Sequence, residues 1–273
     1  MSTTQYQGDV SLKVTSADGT KIAYDKAGQG PPLILVGGAF NSRTLGPNGD
    51  LVPLLADRFT VFNYDRRGRG DSGDTAPYAV AREVEDIAAL VEEAGGSAYL
   101  YGISSGAALA LEAARSLPIK KLAVFEPPFV VDDSRPPVPD YAAQIDALLA
   151  EDRRGEVIKL FMTKGVLIPG IFVSMMRFMP AWKQLKVVAH TLPYDVAVLG
   201  DTTAGKPLPA GRWASLTMPS LVVVGGKSPT WTKNSMDALA KTLPNAGHRV
   251  LPGQTHLVKA KALAPVLSEF FGS

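Results

Sequence analysis

Short apolar runs alternate along the chain with longer stretches whose apolar residues recur at helical spacing. The runs 33–36 (LILV), 60–64 (TVFNY), 98–101 (AYLY), 121–125 (KLAVF), 221–224 (LVVV) and 248–251 are of strand length. They carry many β-branched and aromatic residues and predict strands. Strands so uniformly apolar are covered on both faces, which predicts a mostly parallel sheet with helices on either side. Helical patterns at 80–94 and 104–117 fill the intervals expected of crossover connections. At the end of the chain, Leu263, Val266, Leu267 and Phe270 fall at i, i+3, i+4 and i+7, a stripe suited to docking on the sheet. Near the start, residues 10–15 and 21–25 flank Ala17, Asp18, Gly19 and Thr20, where Asp-Gly predicts a hairpin and an antiparallel beginning to the sheet.

The alternation stops between Glu126 and Ala214. Helical patterns such as 141–151 continue there without a convincing strand, and ten of the 21 prolines lie between Pro127 and Pro209. Prolines at that density bound short helices, so residues 127–214 are expected to form a helical cap inserted into a core of residues 1–126 and 215–273. Four of the seven methionines (Met162, Met175, Met176, Met179) lie in this insertion beside Phe161, Phe172 and Phe178. Methionine fills irregular apolar gaps, and such a cluster suits internal packing of a cap and a ligand pocket equally.

Composition narrows the function classes. With 273 residues, 46% hydrophobic and 20% charged, the chain fits one large α/β unit and neither a disordered nor a fibrous protein. The net charge is +2 without a dense basic run, which argues against a nucleic-acid partner. There is no cysteine, so thiol nucleophiles, disulfides and thiolate metal sites are excluded. The three histidines are scattered, and neither a metal nor another cofactor is expected. The opening MSTTQYQGDV has no basic start or apolar stretch, so a cytoplasmic location is expected. The most apolar window, 165–179, is broken by Pro169, Gly170 and Arg177 and is shorter than the roughly 20 residues of a membrane span, so no membrane association is expected.

One motif carries chemistry. Gly102, Ile103, Ser104, Ser105 and Gly106 spell G-x-S-x-G directly after the AYLY run and at the start of a helical pattern. A strand, a sharp turn and a helix in that order lift a serine hydroxyl above the carboxyl edge of a sheet, with small residues at 102 and 106 permitting the turn. The Ser105 N–H, at a helix start, then faces an oxyanion formed on a substrate attacked by Ser104. A second donor is expected from the glycine-rich loop after LILV, with the Ala39 N–H preferred to Gly38. Serine needs a base, and His256, in a loop between the last strand and the last helix, is the best placed. His248 begins a strand and His190 lies in the cap, where it is a candidate for touching substrate.

These features resemble the α/β-hydrolase superfamily, in particular its small capped serine hydrolases with a segment such as YDRRGRGDSG after one strand, and the resemblance spans nearly the whole chain. It implies an α/β-hydrolase fold and a serine, acid and histidine triad. One departure stands out: where family members usually carry the acid, this chain has Gly225, Gly226, Lys227, Ser228 and Pro229. The resemblance extends to members whose acid follows an earlier strand, which here points to Glu126 at the end of KLAVF. Asp132 and Asp133 lie several residues and two prolines further on, and Ser228 offers only a neutral hydrogen bond.

Gly68, Arg69, Gly70, Asp71, Ser72 and Gly73 also satisfy G-x-G-x-x-G. The acidic residue of a dinucleotide fingerprint is not at a following strand end, so Arg66, Arg67 and Arg69 are expected to anchor the loop through backbone carbonyls and Asp65 or Asp71. The expectation is a cofactor-free hydrolase in which Ser104, His256 and Glu126 act on a small or medium hydrophobic carboxylic ester, lactone or thioester through an acyl-enzyme. Ala39 and Ser105 form the oxyanion hole, and Phe40, Phe161, Met175, Met179 and His190 contact the substrate. Acyl transfer, a lyase step, and ligand binding without turnover are the alternatives.

Overall fold

The structure is a computed structural model that describes residues 12–273. The first residues of the expected hairpin, Val10 and Ser11, and the N-terminal segment read for a signal lie outside the described residues. An eight-stranded sheet runs through the molecule in the order β1-β2-β4-β3-β5-β6-β7-β8. The strands are β1 (Leu12–Thr15), β2 (Lys21–Ala27), β3 (Pro32–Val36), β4 (Thr60–Tyr64), β5 (Ala98–Ile103), β6 (Ile119–Phe125), β7 (Ser220–Gly225) and β8 (Ala246–Leu251). The β1–β2 and β2–β4 pairs are antiparallel and the remaining pairs are parallel. The helices are α1 (Pro47–Leu55), α2 (Val80–Glu93), α3 (Ser105–Ala114), α4 (Tyr141–Ala150), α5 (Arg154–Leu160), α6 (Gly170–Met176), α7 (Ala181–Val188), α8 (Leu192–Leu199), α9 (Thr230–Thr242) and α10 (Ala260–Gly272). This is the mostly parallel, helix-covered sheet expected from the pattern, in the α/β-hydrolase architecture that the resemblance implies.

The period of two along each strand divides the core. Ile34, Val36, Leu100, Leu122, Val124, Val222 and Val224 face one side, where they meet Ile87 and Leu90 of α2, the alanine-rich α3, and Met236 and Leu239 of α9. Leu33, Leu35, Tyr101, Ile103, Phe125 and Val223 face the other and meet Leu51 and Leu55 of α1 and Leu263, Leu267 and Phe271 of α10. Full burial of one such aliphatic side chain contributes roughly 1.5–3 kcal/mol, so the central strands are the mechanical base of the molecule.

The stripe on α10 docks as expected, with Leu263 and Leu267 buried and Val266 and Phe270 packed against them, but its most buried aromatic is Phe271, one turn after Leu267. Two expectations change. The run 248–251 is an exposed edge strand, with His248, Arg249 and Val250 facing solvent. The arginines after β4 are fully buried and reach carboxylates other than Asp65 and Asp71. Arg67 pairs with Asp86 and Asp18, and Arg66 with Glu83 and Asp195. The Gly37, Arg82 and Gly38 carbonyls accept one N–H group each from Arg66, Arg67 and Arg69, as expected, and the Thr191 hydroxyl accepts the Arg69 Nε–H.

Between β6 and β7 the described chain forms α4 to α8, a π-helical turn at Phe161–Gly165 and short 3-10 turns, with no strand. Their apolar faces close a separate cluster built on Ile145, Val157, Ile158, Trp182 and Leu185. Met162 and Met176 pack against that cluster. Among the described residues, no helix is long and apolar enough to cross a membrane.

Candidate active site

Parallel register sets the site. Ile103 of β5 pairs with Phe125 of β6, and Phe125 with Val223 of β7, so the residues that follow, Ser104 and Glu126, leave the sheet side by side at its carboxyl edge. Ser104 has φ +57 and stands between β5 and α3, the strained turn expected of an exposed nucleophile. The flanking glycines make the turn possible. A Cβ on Gly106 would meet the Gly37 and Val36 carbonyl oxygens at 2.4 and 2.5 Å, and one on Gly102 would meet the Gly106 carbonyl oxygen at 2.5 Å. The elbow is therefore wedged against the end of β3.

Glu126 is buried and also adopts positive φ. Its Oε1 accepts the Gly225 N–H at 2.7 Å and the Ser228 hydroxyl at 2.5 Å. Its Oε2 lies 2.8 Å from His256 Nδ1. The loop after β7, where no carboxylate stands, thus holds the Glu126 carboxylate in place. With Nδ1 engaged, the ring carries Nε2 as its second nitrogen, and His256 and Ser104 line the same cavity. No hydrogen bond joins their side chains. Asp132 instead receives Ser134 and Asn234, away from His256.

The cavity holds about 390 Å³ and lies between the sheet edge and the helical segment. Ala39 and Ser105 both line it, and Ser105 begins α3, where first-turn N–H groups have no intrahelical acceptor. Behind them is a buried ionic network. Asp195 of α8 accepts Arg66, Arg69 and the Ser105 hydroxyl, each at 2.7 Å. Arg69 also donates to the Gly38 carbonyl at 2.6 Å and Arg66 to the Gly37 carbonyl at 3.3 Å. Burial opposes charge on Asp195, but Arg69 and Arg66 outweigh it and hold the carboxyl below the usual carboxylate range. One carboxylate from the helical segment thereby ties together the loop carrying Ala39 and Ser105, the residue after Ser104.

Of the expected substrate contacts, Phe161 lines the cavity. Phe40 does not. It is buried behind the wall, edge-on to Phe161 with ring centroids 5.0 Å apart. Met175 and Met179 are off the wall and face outward: α6 buries Val173 and leaves Met175 exposed, and Met179 lies exposed in the turn between α6 and α7. His190 is also off the wall, its Nδ1 at 3.0 Å from the Val187 carbonyl and its Nε2 3.8 Å from Asp74. Ser228 donates the neutral hydrogen bond expected of it, to Glu126; sequence reasoning missed Asp195, Arg135, Tyr141 and Trp231. None has a local spacing signal, since each acquires its role from contacts distant in sequence. No group of three or more His, Cys, Asp or Glu with metal-binding geometry occurs among the described residues.

The sequence matches the family model described as the alpha/beta hydrolase family over residues 33–260. The chain belongs to the alpha/beta hydrolase family. Among solved structures it is similar to an alpha/beta hydrolase from Sphaerobacter thermophilus DSM 20745, at 54% identity over 95% of this chain and 100% of that one, with a TM-score of 0.88. A thermophilic esterase from Thermogutta terrifontis shares the fold at 22% identity, covering 96% of this chain and 98% of that one, with a TM-score of 0.64. An enol-lactonase from Burkholderia xenovorans LB400 does so at 18% identity, covering 96% and 100%, with a TM-score of 0.67. A shorter match, 38% identical over 89 residues and 31% of this chain, is to a protein of Mycobacterium tuberculosis named probable oxidoreductase EphD. The chain spans 15% of the length of the curated relatives it matches. For this alpha/beta hydrolase family member, the matched region runs from β3 into α10 and includes Ser104, Glu126 and His256.

Proposed function

We propose that the protein is a serine hydrolase that cleaves a small or medium hydrophobic carboxylic ester, lactone or thioester. The observation that carries the proposal is the Glu126 to His256 contact of 2.8 Å beside a cavity that also exposes Ser104 at a positive-φ turn. His256 takes the Ser104 proton through Nε2 as Oγ attacks the substrate carbonyl. Glu126 fixes the ring tautomer and stabilises the imidazolium. The Ala39 and Ser105 N–H groups receive the oxyanion. Collapse of the tetrahedral intermediate expels the alcohol or thiol, which takes the proton from His256, and leaves an acyl-enzyme. Water, deprotonated by the same imidazole, then releases the acid and restores Ser104. Residues 127–214 act as the cap that excludes water and shapes the acyl pocket.

The esterase and enol-lactonase among the fold relatives agree with ester-type chemistry. A chain-length series of 4-nitrophenyl esters tests the proposal on wild type, Ser104→Ala and Glu126→Gln, each checked for folding by circular dichroism. Wild type is expected to turn over short and medium acyl chains and Ser104→Ala none above background. Equal rates for the two would refute the nucleophile.

A further inference from the structure

The far wall of the cavity carries a cation whose charge the fold does not neutralise. Arg135 lines the cavity and stacks on Trp231, with its guanidinium carbon 4.4 Å from the ring centroid. One of its nitrogens, Nη2, donates to the carbonyls of Lys164 and Gly165, both at 2.8 Å. Among the described residues it has no carboxylate within ion-pair distance, whereas Arg43, Arg66, Arg67 and Arg69 each have at least one. Burial pulls its guanidinium below the ordinary arginine range, and the nearby Tyr141 offsets this only in part. An unpaired cation at a largely apolar wall is costly unless a ligand supplies the counter-charge.

Two further donors line the same cavity. The Tyr141 hydroxyl and the Trp231 Nε1–H are both buried and without a hydrogen-bond partner among the described residues. Tyr141 Oη and Arg135 meet at Gly165, where an added Cβ would come within 3.0 Å of that hydroxyl. The carboxylate that also lines the cavity, Asp195, is saturated by Arg66, Arg69 and Ser105 and does not compete. The Arg135 charge, with Lys164 also at this wall, and the two unpaired donors select an acceptor-rich, negatively charged group.

We infer that Arg135, Tyr141 and Trp231 form a subsite for a carboxylate that the substrate carries in addition to the bond being cleaved. This rests on the hydrolase reading and narrows it: the substrate is an amphipathic ester, apolar along the middle of the cavity and anionic at one end. Arg135 supplies the counter-charge, Tyr141 and Trp231 the directional hydrogen bonds, and the Ser104 end receives the scissile carbonyl.

The test compares 4-nitrophenyl hexanoate with the mono-4-nitrophenyl ester of adipic acid, matched in length and differing in the terminal carboxylate. In wild type the anionic ester is expected to have a KM about 10- to 100-fold lower, the worth of one to two charge-assisted hydrogen bonds. Arg135→Gln is expected to reduce that preference at least about tenfold, and Arg135→Lys to restore part of it. A wild type without preference, or a preference that survives in Arg135→Gln, overturns the subsite. Calorimetric binding of monomethyl adipate and dimethyl adipate to Ser104→Ala, with and without Arg135→Gln, separates the two readings. Arg135-dependent tighter binding of the monoanion with no cleavage of either chromogenic ester refutes the hydrolase and keeps the subsite. Equal binding with cleavage of the neutral ester does the reverse.

Discussion

A methyl group on Gly38 would stand 2.9 Å from Ser104 Cβ and 3.1 Å from the Ile103 carbonyl oxygen. Both neighbours are fixed, the serine by its strained turn and the carbonyl by β5, so Gly38→Ala must move Ser104 or the loop after β3. We predict a retained far-ultraviolet spectrum and a fall in kcat of about 10- to 100-fold, because small misplacements of reacting groups are expensive. Unchanged kcat would show that the loop has slack the geometry does not allow. Glu126→Gln keeps its shape but removes the charge facing His256, and a fall of about 10²- to 10⁴-fold in kcat is expected in ester hydrolysis. Asp132→Asn should leave kcat within about twofold, since that carboxylate serves only Ser134 and Asn234. At this scale the residues that meet at the sheet edge were legible in part from immediate context, Ser104 in its glycine frame and His256 in its loop, while Glu126 at a strand end came through the family resemblance. Asp195 was not, because a buried aspartate is defined by partners 90 to 129 positions away, which no local pattern encodes.

At the scale of elements, α8 is joined to the core through the Asp195 carboxylate. Asp195→Asn leaves Arg69 without its carboxylate partner in a fully buried position and is expected to cost about 3–5 kcal/mol. Urea denaturation at neutral pH measures it, and a loss below about 1 kcal/mol would contradict the account. The pH dependence has a definite sign. Asp195 is held below the usual carboxylate range when folded. Its contribution is therefore complete above the unfolded value of about 3.9 and is lost as pH falls below that. The gap between wild type and Asp195→Asn should narrow between about pH 4 and pH 2. Elements were legible in proportion to their apolar periodicity. The strands buried on both faces and α2 stand out, whereas α9 was hidden because two of its inward positions, Thr232 and Ser235, are polar. The short helices α5 to α8 gave no clear period, since proline and glycine boundaries cut them to eight residues or fewer.

Across the whole molecule, the site draws on the loop after β3, the elbow after β5, the turn after β6, α8 and the loop after β8, which only the completed sheet and helical segment bring together. The central strands should be the most protected part in native-state hydrogen exchange, and α6, with Ile171, Phe172 and Met175 facing outward, among the least. Equal protection of α6 and β5 would contradict that ordering. The topology was readable because βα alternation and a late histidine constrain it. The cavity wall was not, because Met175 and Met179 lie exposed while Arg135, from the segment before α4, and Trp231, from α9 after β7, close the pocket. The central claim is that Ser104 is a nucleophile driven by a Glu126–His256 pair. Intact-protein and peptide mass spectrometry after treatment with a fluorophosphonate tests it most directly. The account predicts one adduct, on Ser104, forming at least about 10²-fold more slowly in Glu126→Gln than in wild type or Asp132→Asn. No adduct on Ser104, or labelling of Glu126→Gln at the wild-type rate, would contradict it.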